Sequence, residues 1–173
     1  YADIIQAVDV GDRITVDNGL INLEVLSKQE RVMRCRVIDG GALKSKQHVN
    51  LPGIRVNLPA ITEKDRQDIA WGLANDVDYI ALSFVRGAAD VEDVHAIMDE
   101  EGVRLPVLAK VEKPQAIEHL DEIVQEAHGV MVARGDLGIE CPYEELPIIQ
   151  RRIVKTCQQI GRPVIVATQM LES

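Results

Sequence analysis

Apolar and polar positions follow two different rhythms along this chain, and the change falls near Pro59. In "RVMRCRVI", Met33, Cys35 and Val37 alternate with Arg34 and Arg36, the period-two pattern of a half-buried strand. "DRITVDNGLINLEVL" places Asn18-Gly19 between two apolar-rich runs, a strong hairpin signal, and "SKQE" supplies a second turn. The first fifty residues therefore predict a small all-β unit. "VNLPGIRVNLP" then repeats Val-Asn-Leu-Pro seven residues apart. Two prolines in so short a span exclude central strand pairing and predict a stiff, extended connector.

After Pro59, continuous apolar runs alternate with amphipathic stretches. Thr62 is placed to cap a helix in "TEKDRQDIAWGLAND", with Asp65 near its N-terminus and Ile69, Ala70 and Leu73 on one face. Strands are predicted in "VDYIALSF", "LPVLAKVE", "GVMVARG" and "RPVIVATQ". Helices are predicted between them in "AADVEDVHAIMDEEG", "PQAIEHLDEIVQEAHG" and "EELPIIQRRIVKTCQQIG". Strands that read as buried on both faces and are joined by helices imply a parallel sheet with helices outside it.

Such a sheet is either doubly wound or part of a (β/α)8 barrel. No Gly-x-Gly-x-x-Gly follows a strand, which removes the usual dinucleotide argument for the first. The barrel accounts better for the strand ends, each of which carries a chemically capable residue: Ser83, then Lys110 and Glu112, then Arg134 and Asp136, then Thr168. Only four such strands are counted where a closed barrel needs eight, so truncation at both ends is expected.

"PVLAKVEKPQAIEHL" poses the sharpest question, because an apolar strand there runs into two charges. Lys110 and Glu112 are two residues apart and so point to the same face, with Val111 opposite. An exposed ion pair at a strand end is the plain alternative to a functional one.

Composition narrows the classes. The 173 residues are 46% hydrophobic, enough for a sizeable core. No apolar run reaches the roughly 20 residues of a membrane span, and "YADIIQAVDV" lacks the basic start and apolar core of a leader. A soluble, cytoplasmic chain is expected. The net charge of −9 and an aromatic content of 3% disfavour nucleic acid as a partner. Cys35, Cys141 and Cys157 are scattered and unpaired in spacing, which suggests reduced packing residues. Cys141, after a Gly-rich turn, is a candidate reactive thiol, but no basic group adjoins it.

Glu112 and Asp136 lie just past consecutive strands, about 4.8 Å apart if those strands pair. Two carboxylates without His or Cys suit Mg2+ or Mn2+ rather than zinc, with substrate and water completing the shell. In "ARGDLG", Gly135 and Gly138 allow close backbone approach, and N–H groups near the next helix can hold an anion; a plain strand-to-helix turn is the alternative. Lys110 adds a positive charge suited to a phosphate or a developing enolate. Thr168 contributes a hydroxyl, or is simply a β-branched strand residue.

Together, "VNLPAITEKD", "SFVR", "AKVEKPQAIEHLDEI", "GVMVARGDLGIECP" and "PVIVATQMLES" closely resemble the pyruvate kinase family, in its order and spacing. "VDNGLINLEV" and "KSKQHVNLPG" are similar to that family's inserted cap domain. The resemblance implies an α/β fold: residues 1–53 as part of a small all-β cap, and residues 54–173 as about four βα units of a (β/α)8 TIM barrel. It further implies phosphoryl transfer from phosphoenolpyruvate to ADP, giving pyruvate and ATP. On the matching positions Lys110 stabilises the transferring phosphoryl and the enolate, Glu112 and Asp136 hold the divalent metal, and the backbone of Gly135 and Asp136 receives the substrate carboxylate. Thr168 belongs to a proton relay at the enolate carbon. Asp17 and Lys46 are the nucleotide contacts of the cap, although the family often carries a basic pair where Lys46 is here followed by Gln47. The K+ ligands of the family, its remaining barrel strands and its effector domain fall outside this chain. The resemblance thus implies a fragment, with little or no activity alone, of a homotetrameric parent.

Two other readings stay open. A metal-dependent aldolase or lyase acting through a pyruvate enolate also uses a Glu and an Asp from neighbouring strands, but needs no nucleotide. A non-catalytic folding module needs neither metal nor oxyanion.

Overall fold

The computed structural model describes residues 2–17, 19–45, 47–54 and 61–167, with residues 2–4 described by backbone alone. The chain forms two compact units, Tyr1–Leu58 and Pro59–Ser173, each with its own apolar core.

Among its described residues, the first unit has a short helix α1 (Ala2–Ala7) and strands β1 (Arg13–Val16), β2 (Ile21–Gln29), β3 (Val32–Asp39) and β4 (Val49–Asn50). They form one antiparallel sheet in the order β3-β2-β1-β4. The hairpin expected around Gly19 is present, with Val16 opposite Ile21. Its loop spans four residues and uses left-handed backbone at both Asp17 (φ 56°) and Gly19 (φ 85°). β4 is an edge strand, as Pro52 just beyond it demands. Helix α1 is a departure from the all-β expectation: six residues are too few to show a helical period. The β3 alternation holds for Met33 and Cys35, but Val37 is exposed. Asn18, Lys46 and the whole of the second Val-Asn-Leu-Pro repeat lie outside the described residues.

The second unit follows the predicted helix-strand alternation. Helix α2 (Glu63–Ala74) leads to β5 (Ile80–Leu82), α3 (Ala88–Glu100) to β6 (Val107–Val111), and α4 (Pro114–Glu118) with α5 (Leu120–Glu126) to β7 (Gly129–Ala133). Then α6 (Arg134–Glu140), a 3₁₀ turn and α7 (Leu146–Ile160) lead to β8 (Val164–Ala167). All pairings are parallel, in the order β5-β6-β7-β8. A strictly sequential order has no switch point, so it is the order of a barrel wall and not of a doubly wound sheet.

One face of this sheet is packed by helices: Val107, Ala109, Val111, Val130 and Val132 are buried against α3, α5 and α7. The other face is more open than the apolar runs implied. Leu108 and Met131 are only half-buried there, and Ile165 is exposed. Gly129 sits on that face where a Cβ would come within 2.7 Å of a Leu108 methyl and 3.3 Å of the Pro163 carbonyl oxygen, so any larger residue would make the Leu108 side chain and the adjoining backbone give way.

Three local departures have physical causes. The helix expected over "PQAIEHLDEIVQEAHG" breaks at His119, whose backbone (φ −104°, ψ 22°) leaves the helical region; Ala116 and Leu120 on either side are both fully buried. Strand β5 stops at Leu82, because Phe84 turns left-handed. The "RGDLG" turn is a helix, α6, held by the fully buried Leu137, so neither Gly135 nor Gly138 is needed there for a positive φ. No helix among the described residues is long and apolar enough to cross a membrane.

Helix α2 begins with the cap foreseen at Thr62, in reciprocal form. The Asp65 amide donates to Thr62 Oγ1 (3.2 Å) and the Thr62 amide donates to Asp65 Oδ2 (2.8 Å). The Thr62 hydrogen bonds hold the Asp65 carboxyl below its ordinary pKa. A folded-state pKa lowered in this way means that the stabilisation is complete above the ordinary Asp value, and is lost as pH falls through the folded one. Thr62→Ala is therefore expected to cost about 1 kcal/mol at neutral pH. In urea unfolding the difference from the parent chain should begin to shrink as pH falls below about 4, the ordinary Asp value, and vanish once pH has passed below the lower folded-state value.

Candidate active site

The site is built from the carboxyl ends of β5, β6 and β7. Period-two alternation along β6 sends Val107, Ala109 and Val111 to the helices and Leu108 and Lys110 to the open face, and Glu112 continues that register. The two charges meet: Lys110 Nζ lies 2.6 Å from Glu112 Oε1. The pair is not the exposed contact that a strand end alone would suggest. Glu112 is only 1% exposed, and Lys110 is half-buried.

Burial of a carboxylate demands partners, and β5 supplies them. The Phe84 amide donates to Glu112 Oε2 at 3.0 Å, and Lys110 Nζ donates to Ser83 Oγ at 2.9 Å. Each Glu112 oxygen thus accepts one strong donor and retains lone-pair capacity. Lys113, just beyond Glu112, places its ammonium 5.6 Å from the centre of the Phe84 ring, a cation–π contact over the rim.

On the neighbouring strand, Ala133 ends β7, and Gly135 and Asp136 fall in the first turn of α6. The helix's own ladder does not use the first-turn N–H groups. Asp136 is half-buried. The donor set therefore consists of carboxylates; among the described residues, no group of three or more His, Cys, Asp or Glu gathers as a ready-made metal cage. Thr168 and Lys46 lie outside the described residues. Asp17 belongs to the first unit, where it opens the turn after β1 and its amide donates to the His48 carbonyl.

The cysteines are free thiols, with Cys157 buried and Cys35 and Cys141 half-buried. Burial pushes the Cys141 thiol above its ordinary pKa, and Glu140 and Glu145 push the same way. A raised thiol pKa works against Cys141 as a nucleophile. Sequence reasoning recognised Ser83 only as a strand-end hydroxyl, and it missed the Phe84 amide altogether. Main-chain donors leave no mark in residue identity.

At the opposite, amino-terminal end of the same sheet sits a second polar cluster. Buried His95 approaches Glu126 Oε1 through Nδ1 (2.9 Å) and packs edge-on against His128, while the Val107 amide donates to His128 Nδ1. Burial holds the His128 imidazole below its ordinary pKa. In barrels that end serves stability.

A sequential parallel sheet with acid and base groups gathered at its carboxyl ends defines a (β/α)-barrel segment of the enzyme type. The chain belongs to the pyruvate kinase family: the model described as "Pyruvate kinase, barrel domain" matches residues 1–173. It is 47% identical over 176 residues to a pyruvate kinase of Geobacillus stearothermophilus and 48% identical over 173 residues to one of Corynebacterium efficiens. Each match covers 100% of this chain, but 30% and 36% of those relatives respectively. A Staphylococcus epidermidis pyruvate kinase is 43% identical, again over the whole chain and 30% of the relative. The chain thus spans about a third of the length of the curated relatives it matches.

The ion pair has a consequence for stability. In metal-free protein Lys110→Met leaves Glu112 buried with a single hydrogen-bond donor and is expected to cost about 3 kcal/mol. Glu112→Gln keeps a hydrogen-bonding side chain and frees a half-buried lysine, so about 1 kcal/mol is expected. The urea midpoint of each variant measures the order, and equal midpoints would count against a desolvated Glu112.

Proposed function

We propose that this chain carries the phosphoryl- and metal-handling part of a pyruvate kinase, which transfers the phosphoryl group of phosphoenolpyruvate to ADP. The observation that carries the reading is the buried Lys110–Glu112 pair at the carboxyl end of β6, in a chain matched throughout by the family. On this reading residues 1–53 are part of the inserted cap and residues 54–173 the central part of the barrel.

Glu112 and Asp136 are the residues that hold a divalent cation, Mg2+ or Mn2+. The fit rests on the donor chemistry, because both are carboxylates and the Glu112 oxygens keep lone pairs after their two hydrogen bonds. When bound, the cation supplies charge neutralisation and a template for substrate oxygens. The potassium ion associated with the family is held by residues outside this chain.

Lys110 binds the phosphoryl oxygens and offsets the negative charge that develops as the P–O bond to the enol oxygen breaks. A new P–O bond forms to the terminal phosphate oxygen of ADP, leaving the enolate of pyruvate, which Lys110 also faces. The amides of Gly135 and Asp136, at the start of α6, orient the substrate carboxylate. Thr168 stands in the relay that delivers a proton to the enolate carbon. Asp17 and Lys46 contact the nucleotide from the cap. The first unit is close to charge-neutral, so the acidic excess of the chain lies in the second, a distribution that draws cations toward the metal ligands. The enzyme works in the cytoplasm as a homotetramer.

Titration with Mn2+, with and without phosphoenolpyruvate, tests the assignment. Mn2+ should bind, its affinity should rise in the presence of the substrate, and Glu112→Gln should weaken it by about tenfold or more. In the active enzyme that carries this chain, Lys110→Met should leave Mn2+ affinity within about threefold while lowering phosphoryl transfer about 100- to 1,000-fold. Unchanged Mn2+ affinity in Glu112→Gln would sink the metal assignment.

A further inference from the structure

The backbone just past the end of β5, the strand beside the ion pair, takes an unexpected shape. Phe84 has φ 57°, a left-handed conformation that bulky residues rarely adopt. Its ring does not explain this, because the side chain is half exposed. The conformation instead directs the Phe84 N–H to Glu112 Oε2, 3.0 Å away and 28 residues later in sequence. Ser83, immediately before, accepts from Lys110 Nζ at 2.9 Å. Two adjacent residues of one strand end therefore each hold one member of the charged pair.

An ion pair alone fixes a distance but not a direction. A lysine side chain reaches its partner through four flexible carbons and carries three rotatable donors. With one donor committed to Glu112 and a second to Ser83, tetrahedral geometry sets where the third N–H points. The carboxylate is fixed likewise: Oε1 accepts Lys110 and Oε2 accepts the Phe84 amide, so the remaining lone pairs face set directions.

We propose that Ser83, together with the left-handed Phe84 amide, is a positioning element of the phosphoryl-transfer site. It aims the third Lys110 donor at the transferring group and holds the Glu112 carboxylate for the cation. The inference rests on the proposed function and adds to it the residues that orient Lys110 without themselves taking part in the chemistry. Such orientation acts on the transition state more than on substrate binding, because the developing charge is what the aimed donor meets.

The test uses the active enzyme that carries this chain, with Ser83→Ala, Ser83→Cys and Ser83→Thr, and Glu112→Gln as control. Ser83→Ala and the near-isosteric Ser83→Cys both remove the strong acceptor, so a packing defect in one is recognised by the other. Both should lower kcat about 10- to 100-fold. The KM for phosphoenolpyruvate and the Mn2+ affinity measured by electron paramagnetic resonance should stay within about threefold of the parent values. Ser83→Thr, which keeps the hydroxyl, should retain kcat within about threefold.

Full kcat in both Ser83→Ala and Ser83→Cys, beside an inactive Glu112→Gln, overturns the positioning role and leaves the proposed function standing. A rise in KM alone, or equal losses in Ala, Cys and Thr, also overturns it, since neither isolates the hydroxyl as an orienting group. If Glu112→Gln keeps both activity and Mn2+ affinity, the proposed function itself fails, and the inference with it.

Discussion

A carboxylate removed from water must find donors, and Glu112 organises the second unit around that requirement. It takes one donor from its own strand two residues back and another from the main chain of the adjacent strand. The first fixes the side-chain register of β6, because only a period-two extended backbone puts Lys110 and Glu112 on one face. The second fixes the end of β5, because Phe84 must leave the strand to present its amide. One desolvated charge thus ties together strand length, backbone conformation and site geometry. Its retention at a cost in desolvation is what distinguishes this strand end from an ordinary surface pair.

The rest of the sheet provides the rigidity that such a site needs. Valines of β6 and β7 lock the strands against α3, α5 and α7, and Gly129 allows close approach to Leu108 and Pro163 at the far end of the sheet. The division of labour runs along the strand axis. The amino-terminal ends hold packing and the His95–Glu126–His128 cluster, while the carboxyl ends hold the reactive charges. Neither end could be altered freely without being felt along the same few strands.

Much of this was legible in the residues. The alternation at Lys110 and Glu112, the Thr62 cap, and the succession of apolar runs and amphipathic helices each follow from local patterns, and the structure has all of them. What escaped was non-local. "RGDLGIE" carries two glycines, each costing a helix about 1 kcal/mol, so nothing local favours α6; burial of Leu137 does. The left-handed backbone of Phe84 answers to an acceptor 28 residues away. The break at His119 depends on two buried neighbours reaching one core. The openness of the sheet's second face is likewise not a property of its strands, since apolar runs read the same whether or not anything covers them.

The hydrogen bonds that hold the charged pair join only β5 and β6, with α3 as the link between them. That is the smallest right-handed crossover a parallel sheet allows. The two charges and both of their holds therefore lie within one continuous stretch of chain, Ser83 to Glu112. The orienting half of the site is contained in one strand-helix-strand unit, while Asp136 comes from beyond another helix pair and strand. Aiming the lysine is thus a property of one such unit, and the second carboxylate belongs to the next.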